Sequence, residues 1–524
     1  MVKLSDVNTT DILDAVRLGC RTMATVFNAD DGDTPFFGAY VRPEAHLSFS
    51  SFASDAHVPG RHLNALLSAE DVAGVRVDED AVDKHTRAAF RSYGGAVYVP
   101  LDRPEIGGPN VNFTPHNIRE GFHALYALAR YRDSARARSI AEASIDAILR
   151  YWDPATDWDY ESLERLGVRS PKLPTTFIGG VARSIGPLVK YHRATGYGPA
   201  LELAVVLKEK AVAEFFTADG VYSVEKFGGH VHSTTCTMSS LAQLADHTSD
   251  TILMQRVKAF YDNGLWDLRD GLGWSVEVTD ERTRQDKGEA NNTGDILETA
   301  LILGKWGYTD CYHDAERILR GHLLPSQLRD TSFVEQPSNP EGVDGRRDVA
   351  NRLHGAFGFP APYGHEPVGL PSVSFNLDIV GGAIGSLCEA LMEVARYDAT
   401  GHRVNLLFDR DTPYIQVESP YTHSHRELRI RLKRPGPLFV RIPPWVDTDR
   451  LTKAGAQGPA HHVNGYLMLT RVPVNRVVAL QFPLASEDIV LDHGARRIRV
   501  RLRGDEVVAM ENFGADLTFF DPLE

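Results

Sequence analysis

The sequence has few cysteines and no long hydrophobic run, and both absences exclude whole classes of protein. Its four cysteines, Cys20, Cys236, Cys311 and Cys388, lie far apart, which argues against a zinc ribbon, a CxxC redox motif or a disulfide framework. No stretch approaches about 18 consecutive apolar residues, so no membrane span is predicted. The first residues lack a basic segment followed by an apolar one, so no signal peptide is predicted. A reducing cytoplasm is the expected location.

An excess of positive charge is also missing. The 524 residues include 56 Lys and Arg against 70 Asp and Glu, which gives a net charge of −14. We therefore expect neither a nucleic-acid partner nor an anionic membrane partner. Hydrophobic residues make up 43% of the chain and charged residues 24%. Those values are typical of a folded globular protein and exclude a mostly disordered chain.

A repeated helical hairpin organises the first 400 residues. Apolar residues at helical spacing over 115–131 are followed by a short turn and a second helix. Each first helix is apolar and rich in small residues, whereas each second helix carries more charge, as expected for an inner and an outer ring. About six such hairpins would close into an (α/α)6 barrel (toroid), and an open solenoid of helix pairs is the alternative. Further predicted hairpins or helices cover 176–216, 234–264, 292–324, 9–27, 79–92 and 376–396.

The pattern changes after residue 400. Residues 402–520 form short alternating or apolar runs separated by turn signals such as Asn464-Gly465, which predicts a β-sandwich over 401–524. Residues 325–372 are rich in Pro and Gly and lack helical periodicity. An insertion of that length between two barrel helices is predicted to be a loop that covers the substrate. The predicted fold is therefore an (α/α)6 barrel over 1–400 followed by a β-sandwich domain.

The chemistry is expected where the inner helices begin. Parallel inner helices present their N-termini, with free backbone N–H groups and partial positive charge, at one mouth of a barrel. Ser, Thr, Asn and Asp at these starts also serve as ordinary caps, whereas His and Glu are poor caps. Five predicted starts with a surplus of His, Asn and carboxylate indicate a carbohydrate-sized polar pocket. The predicted substrate-binding residues are His116, Asn117, Glu120, His230, His232, Asn291, Asn292, Asn376, Tyr363 and His365.

Carboxylates supply the catalytic candidates. Glu289 lies one turn before an inner helix and is predicted to be catalytic, with Glu277 and Asp378 as candidates for the second carboxylate. His230 and His232, at positions i and i+2, would point both rings the same way as metal ligands do. No third nitrogen or sulfur ligand stands at a recognisable spacing, so a hydrogen-bonding pair is favoured. The sequence predicts no metal and no cofactor.

Three segments of the chain resemble one known family. They are Gly288–Gln327 (GEANNTGDILETALILGKWGYTDCYHDAERILRGHLLPSQ), Gly229–Asp246 (GHVHSTTCTMSSLAQLAD), and Phe439–Trp445 (FVRIPPW) with Asn464–Arg471 (NGYLMLTR). Each resembles a segment of the β-L-arabinofuranosidase superfamily, which is glycoside hydrolase family 127 and its relatives. The segments follow one another along this chain in the same order as in that family. The resemblance spans residues 110–485. It implies an (α/α)6 barrel followed by β-sandwich modules and a carbohydrate substrate.

The chemistry of that family does not carry over intact. The family's Glu-Thr-Cys motif supplies a general acid/base and a zinc-binding Cys, but Glu289-Ala290-Asn291 keeps only the Glu. An earlier zinc-binding Glu of the family matches Glu277. The family's Cys-Cys pair, which supplies the nucleophile and a zinc ligand, is replaced by Phe375-Asn376. One carboxylate, two amides and a phenyl ring cannot form a thiolate zinc site, so the resemblance implies a divergent branch with neither the zinc nor the cysteine nucleophile.

Three functions stay open at this point. The first is a metal-independent glycoside hydrolase of a small oligosaccharide or glycoside, arabinofuranoside-like sugars included, with Glu289 as general acid/base. The second is a lyase that acts on a uronic acid with His and Tyr as acid and base, using residues such as His116, His230 and Tyr363. The third is a sugar-binding paralogue without catalysis. A carbohydrate is the expected partner in each case, and a homo-oligomer is compatible with the sequence.

Overall fold

The helices of the computed structural model lie in the first 394 residues. The structure describes residues 3–170, 175–279, 286–370, 372–423, 427–492 and 496–523. Within these ranges it has twelve helices of nine or more residues, none of them long and apolar enough to cross a membrane. They are α1 (Ile12–Met23), α2 (Val58–Ala73), α3 (Glu79–Ser92), α4 (Ile118–Tyr131), α5 (Ala135–Tyr151), α6 (Ile185–Thr195), α7 (Gly198–Glu214), α8 (Val231–Thr248), α9 (Thr251–Asp262), α10 (Ala290–Lys305), α11 (Asp310–Ile318) and α12 (Leu377–Val394).

Six of these helices pack side by side in a closed circuit. Helix α2 packs on α4, α4 on α6, α6 on α8, α8 on α10, α10 on α12, and α12 packs on α2 again. We call these six the circuit helices. Each of the others packs mainly on one circuit helix: α3 on α2, α5 on α4, α7 on α6, α9 on α8, α11 on α10, and α1 on α12, with α1 also touching α2. Helices α8 and α10 are buried on almost every face, whereas α7 and α9 bury only one stripe, as expected for inner and outer helices.

Two helix predictions differ from the structure. Helix α2 was not predicted, because a helix buried on several sides shows no clear apolar stripe, and its first turn holds Pro59 and Gly60. Helix α6 begins at Ile185 rather than at 176, since a 3-10 turn over Val181–Ser184 precedes it. The predicted loop over 325–372 is mostly irregular where it is described, with one short helix, Val349–Leu353. Two more short helices are Tyr160–Arg165 and Val224–Phe227.

Small antiparallel sheets join the helices. The strand Val373–Asn376 leads directly into α12 and pairs with Gly38–Arg42, which also pairs with His46–Ser48. This pairing fixes the first turn of α12 beside the segment that precedes α2. The two-stranded sheets are Phe27–Asn28 with Thr34–Pro35, Leu101–Asp102 with Asn112–Phe113, and Trp152–Asp153 with Asp157–Trp158.

The C-terminal region is rich in sheet, as predicted. Alternate residues of two five-stranded sheets, such as Val417, Ile430, Val440 and Leu469, share one hydrophobic core. The strands of a third sheet pack on the core of the helical region. In spatial order and within the described ranges, the first sheet is Ala395–Asp398, Gly401–Val404, Leu438–Arg441, Tyr466–Arg471 and Gln457–Val463; the second is Arg410–Asp411, Ile415–Glu418, Glu427–Leu432, Val477–Gln481 and Thr452–Ala454; the third is Ser486–Asp492, Arg497–Arg503, Glu506–Met510 and Asp521–Pro522.

A buried ion cluster joins the helical region to the sheets. Glu316 of α11 is fully buried and accepts hydrogen bonds from Arg320 at 3.1 Å, from Arg441 and from the backbone N–H of Leu407 at 3.2 Å. Both guanidinium groups are buried as well. The charges therefore depend on one another, because removing one member of a buried pair leaves the other uncompensated.

Replacing Glu316 with Ala is expected to lower the free energy of unfolding by about 3–5 kcal/mol, because two buried cations lose their anion. Urea unfolding of the full chain measures the change. Glu214→Ala is the matched control, since the exposed Glu214 of α7 pairs with the half-buried Lys210 and this pair should contribute less than about 1 kcal/mol. Equal losses in the two variants would show that Glu316 does not hold the two regions together.

Candidate active site

The first turns of five circuit helices bring their side chains into one buried cluster. Arg61 lies on α2, Glu120 on α4, His232 on α8, Asn291 on α10 and Asp378 on α12, and all five are buried. The Arg61 guanidinium lies within 3.2 Å of Glu120 Oε1, 3.0 Å of His232 Nε2 and 3.2 Å of Asn291 Oδ1. Its Nε lies 3.7 Å from Asp378 Oδ2. One guanidinium thus connects five helices, and we call these five residues the helix-start cluster.

Glycine allows the helices to approach this closely. A Cβ at Gly60 of α2 would lie 1.8 Å from the carbonyl oxygen of Glu120. A Cβ at Gly382 of α12 would lie 2.0 Å from Asn291 Oδ1 and 2.5 Å from an Arg61 nitrogen. All three distances are far below contact between non-bonded atoms. A side chain at Gly60 would therefore push α2 away from α4, whereas one at Gly382 would displace the Asn291 and Arg61 side chains from the cluster.

Glu120 is the anionic centre of the cluster. Its Oε1 accepts hydrogen bonds from Arg61 and Arg119 at 3.2 Å and from Arg183 at 3.0 Å, and its Oε2 lies 3.5 Å from His57 Nδ1. Burial raises the pKa of Glu120, but these cations outweigh burial and hold that pKa well below its usual value. Its side chain has no exposed surface. Glu120 therefore holds the surrounding cations in place, and its contact with the substrate stays a prediction.

Glu289 lies immediately before α10, and the pKa of its carboxyl group is raised. Its carboxyl group is buried, and Oε1 accepts a hydrogen bond from Asn291 Nδ2 at 2.9 Å and lies 3.9 Å from His232 Nδ1. Burial, together with the negative charges of Glu277 and Asp378, raises the pKa of Glu289 to about 8. A carboxylic acid in this state is able to donate a proton at pH 7.

Asp378 is ionised in the same surroundings. Burial raises its pKa, but the hydrogen bond from His57 Nε2 at 3.2 Å and the charges of His57 and Arg61 outweigh burial and lower that pKa. Asp378 Oδ2 also lies 3.5 Å from Asn291 Nδ2, the nitrogen that donates to Glu289. The two carboxyl oxygens are therefore no farther apart than the sum of those two hydrogen-bond distances. Glu289 is the member of the pair with the raised pKa, and Asp378 is the member with the lowered pKa.

His57 orients Asp378 and was missed by the sequence analysis. Its Nδ1 faces Asn117 Oδ1 at 2.9 Å and its Nε2 faces Asp378 Oδ2 at 3.2 Å. Asn117 uses its Nδ2 to donate to the backbone oxygen of Phe52 at 2.7 Å and to Asp102 at 2.9 Å, which points its oxygen at His57. The oxygen of Asn117 is thus directed at His57, and a direct contact of Asn117 with the substrate stays a prediction.

Histidine rings extend from the cluster toward solvent. The ring of His57 stacks on His116 with 5.5 Å between centroids and 7° between planes, and His116 lies 5.5 Å from the ring of His230. His116 is half-buried and faces the Gly179 carbonyl oxygen at 2.8 Å, while His230 is exposed. His116 and His230 therefore place accessible ring surface next to the His57–Asp378 pair.

The remaining predicted substrate-binding residues differ in their burial and in their hydrogen-bond partners. Asn376 ends the strand before α12 and is half-buried, whereas Asn292 is buried and donates to the backbone oxygen of Val276 at 2.9 Å. Tyr363 is fully buried, with its hydroxyl donating to Asp286 at 2.8 Å. His365 is buried against two phenylalanine rings. Among the contacts described, none joins Tyr363 or His365 to the helix-start cluster.

The residues at the family's zinc positions do not fit a zinc ion. Glu277 is half-buried and paired with Lys287 at 2.6 Å. Asn291 already accepts a hydrogen bond from Arg61 through its oxygen. Phe375 offers only a buried ring. These side chains provide no thiolate and little free acceptor capacity, so they do not form a zinc site.

A different trio of possible metal ligands lies deeper in the circuit. Ligand atoms of His232, Cys236 and Asp295 lie within 4.8 Å of one another, and all three residues are buried. Two guanidinium groups already contact these residues: Arg183 Nε donates to Cys236 Sγ at 3.3 Å, and Arg119 lies 3.3 Å from Asp295. Cations at this distance oppose a further cation. We therefore assign this trio to the charge network around Glu120.

Comparison with known proteins agrees with the fold. No family model matches the sequence, and no curated protein matches it. Solved structures do match over nearly the whole chain. A family 127 β-arabinofuranosidase has a TM-score of 0.58 at 15% identity over 96% of this chain and 83% of its own. The protein shares the family 127 fold.

Two further structures give the same result. A family 127 β-L-arabinofuranosidase from Geobacillus stearothermophilus T6 has a TM-score of 0.56 at 15% identity, covering 96% of this chain and 86% of its own. A protein described as a glycoside hydrolase has a TM-score of 0.55 at 14% identity, covering 92% and 84%. The resemblance to this family, first seen in three sequence segments, is confirmed. At this identity the likeness concerns the fold, so function rests on the site itself.

Proposed function

We propose that the protein is a glycoside hydrolase in which an (α/α)6 barrel over residues 1–400 carries the active site and a β-sandwich over 401–524 follows. The closed circuit of six helices, each backed by a second helix, supports the barrel. The shared core of two five-stranded sheets supports the sandwich. The helix-start cluster then forms the floor of the barrel mouth, where N-terminal helix ends meet.

The pair formed by Glu289 and Asp378 carries the proposal. Neighbouring carboxyl groups whose surroundings drive their pKa values apart are the arrangement that acid-assisted glycoside cleavage requires. Glu289 donates its proton to the glycosidic oxygen, and the bond from the anomeric carbon to that oxygen breaks. Asp378 attacks the anomeric carbon and forms a glycosyl ester. Glu289, now ionised, takes a proton from the water that hydrolyses this ester.

The spacing of the pair is compatible with retention of configuration. One oxygen of each carboxyl group lies near Asn291 Nδ2, at 2.9 and 3.5 Å, and a retaining pair has its carboxyl groups roughly 5 Å apart. Glu277 fits the second role less well than Asp378, because it is paired with Lys287. Its charge instead raises the pKa of Glu289.

The lyase alternative lacks support from its proposed base. The lyase considered from the sequence uses Tyr363 at the substrate, but the Tyr363 hydroxyl donates to Asp286 and the side chain is fully buried. A small glycoside remains the proposed substrate, with His116 and His230 at the open wall. Arabinofuranosides are the first sugars to test, since the structural neighbours are β-arabinofuranosidases.

A panel of aryl glycosides and uronate oligosaccharides tests this function. We expect release of the phenol from one or more aryl glycosides, and NMR of the first product should show the anomeric configuration of the substrate. Ultraviolet absorbance from an unsaturated uronate would instead identify a lyase. Binding of sugars with no turnover of any substrate would identify a non-catalytic paralogue.

The pH dependence of kcat/KM tests the assignment of Glu289 as the general acid. Glu289 must carry its proton, so kcat/KM is expected to fall as the pH rises through about 8. Glu277→Gln removes a neighbouring negative charge and should move this alkaline limb to lower pH, because the ionised form of Glu289 becomes less unfavourable. The exposed Glu164→Gln is the control and should leave the profile unchanged. An identical limb in wild type and Glu277→Gln would contradict the assignment of Glu289 as the acid.

A further inference from the structure

Two phenylalanine rings lie where two neighbouring circuit helices begin. Phe52 stands in the segment that leads into α2 and is 57% exposed. Phe37 is half-buried, and its backbone oxygen accepts a hydrogen bond at 2.7 Å from the N–H of Leu377, the first residue of α12. The centroids of the two rings lie 6.3 Å apart, with 63° between the ring planes. We call Phe37 and Phe52 the phenylalanine pair.

The phenylalanine pair adjoins the candidate active site through His57. The ring of Phe37 meets the ring of His57 edge-on, with 6.2 Å between centroids and 89° between planes, and His57 Nε2 lies 3.2 Å from Asp378 Oδ2. The backbone oxygen of Phe52 accepts a hydrogen bond from Asn117 Nδ2 at 2.7 Å, and Asn117 Oδ1 faces His57. The residues that orient Asp378 therefore also hold the two rings in place.

The exposure of Phe52 is not that of an isolated surface residue. Single exposed apolar residues are common in folded proteins, whereas continuous aromatic surface beside a polar pocket is typical of a ligand-binding site. Phe37 continues the surface of Phe52 as far as His57. Because hydrogen bonds fix the backbone of both residues, binding to their rings would cost little ordering entropy.

The chemistry of the pair favours an apolar ligand group. The N–H groups of Phe37 and Phe52 donate to the Ser48 backbone oxygen at 3.0 Å and to Ser50 Oγ at 3.4 Å, and both backbone oxygens accept the hydrogen bonds described above. The pair therefore offers ring surface and no unbonded backbone group. A sugar unit at this place would need polar groups to bind its hydroxyls, whereas an aromatic ring needs only another ring to pack on.

The leaving group of the proposed reaction extends toward solvent. Glu289 and Asp378 are buried. The cavity beneath them, which Arg61 and Asn291 help to line, has a volume of about 20 Å³, enough for water and too small for a sugar. A sugar that lies against the two carboxyl groups therefore has its leaving group on the open side, where the ring of Phe52 is exposed.

We propose that the phenylalanine pair is the leaving-group subsite of the active site and selects glycosides whose leaving group carries an aromatic ring. This inference rests on the proposed glycosidase function. With the two rings at 63° to each other, an aromatic leaving group stacks on one ring and meets the other edge-on, and both arrangements are favourable. The pair does not reach the reacting atoms, so it sets affinity and specificity rather than the rate of bond cleavage.

Binding of matched glycosides tests the subsite. The 2-naphthylmethyl and ethyl glycosides of one sugar both have an alkoxide leaving group and differ in the aromatic ring. Four such pairs, of L-arabinofuranose, D-xylose, D-glucose and D-galactose, are titrated calorimetrically into the full chain carrying Glu289→Gln, which suppresses turnover. We expect a naphthylmethyl glycoside to bind about three- to ten-fold more tightly than its ethyl partner. Phe52→Ala should abolish this preference and leave the affinity for the ethyl glycoside unchanged, whereas Phe52→Tyr, which keeps a ring, should retain it.

Steady-state kinetics provide a second readout in the otherwise wild-type chain. Phe52→Ala should raise KM for the naphthylmethyl glycoside and leave kcat nearly unchanged, because the lost contact is made equally in the bound and transition states. Phe513→Ala, which removes an exposed ring from the C-terminal region, is the matched control and should change neither constant. A thermal midpoint close to that of the parent shows that each variant is folded.

Four results would overturn the proposal. They are the absence of any naphthylmethyl preference across the four sugars, a preference that survives Phe52→Ala, an equal loss of the preference in Phe513→Ala, and a disaccharide that loses as much affinity in Phe52→Ala as the naphthylmethyl glycoside does. Failure of the proposed function has a different signature. Binding that depends on Phe52 without turnover of any glycoside would remove the glycosidase assignment and leave the aromatic subsite in place.

Discussion

The Glu289→Gln variant is expected to hydrolyse glycosides with poor leaving groups about 10²–10⁴ times more slowly than wild type. Gln is nearly the same size and still accepts the hydrogen bond from Asn291 Nδ2, but it cannot donate a proton to the departing oxygen. The buried pocket that raises the pKa of Glu289 therefore becomes useless for acid catalysis. Steady-state kinetics on alkyl glycosides measure the loss.

The leaving group separates acid catalysis from a structural defect. The dinitrophenolate of a dinitrophenyl glycoside is a stable anion and leaves without protonation. The loss of rate in Glu289→Gln should therefore largely disappear in the first chemical step with this substrate. A variant that is merely misfolded would lose activity equally on both substrates. Glu164→Gln, at an exposed position, should retain full activity on each. An equal loss on good and poor leaving groups would contradict a general-acid role.

The Asp378→Ala variant is expected to lose about 10⁴-fold or more of its activity, the scale seen when a nucleophile is removed. The carboxylate is held by His57 and Arg61, and without it the anomeric carbon has no protein atom to attack it. Asp378→Asn should lose activity as severely, because an amide is a poor nucleophile. Single-turnover kinetics on an aryl glycoside measure both losses.

Azide provides the control for this nucleophile. In Asp378→Ala, azide can enter the vacated space and attack the anomeric carbon, which gives a glycosyl azide of inverted configuration and restores turnover of an activated substrate. Asp378→Asn retains a side chain in that space and should respond less. Restored hydrolysis with no glycosyl azide, or azide rescue in wild type to the same degree, would contradict the nucleophile assignment.

Much of the candidate site could be predicted from the local sequence. Glu289, Asn291 and Asp378 were named because His, Asn and carboxylate residues were unexpectedly common where apolar helices begin. That inference needs only the 3.6-residue period and the direction of a helix, since both are local properties. The structure then places these residues together, with Asn291 Nδ2 between the two carboxyl groups.

His57 and Arg61 could not be predicted in the same way. Helix α2 is packed against α3, α4 and α12, and a helix covered on several sides shows no polar stripe that would reveal its period. Arg61 also contacts residues as far along the chain as Asp378, and such pairings are set by packing. The only local sign of this helix was Pro59 in its first turn, a position that favours proline.

Tyr363 and His365 were predicted to bind the substrate, and the structure buries both. Both lie in a segment without helical or strand periodicity, so the direction of their side chains could not be predicted from the sequence. In the structure the backbone of this segment bonds to the C-terminal region, at Leu517 and Phe519. Its aromatic side chains are thereby buried in the core rather than turned to the mouth.

The sequence by itself determined the hairpin repeat, the change from helix to strand near residue 400 and the carboxyl group that begins α10. Only the tertiary structure decided which carboxyl group has the raised pKa and which the lowered one. Glu289 and Asp378 have nearly the same chemistry in isolation. They differ because one is buried beside negative charges while the other receives His57 and Arg61, and these neighbours come from distant parts of the chain that meet only when the helices pack.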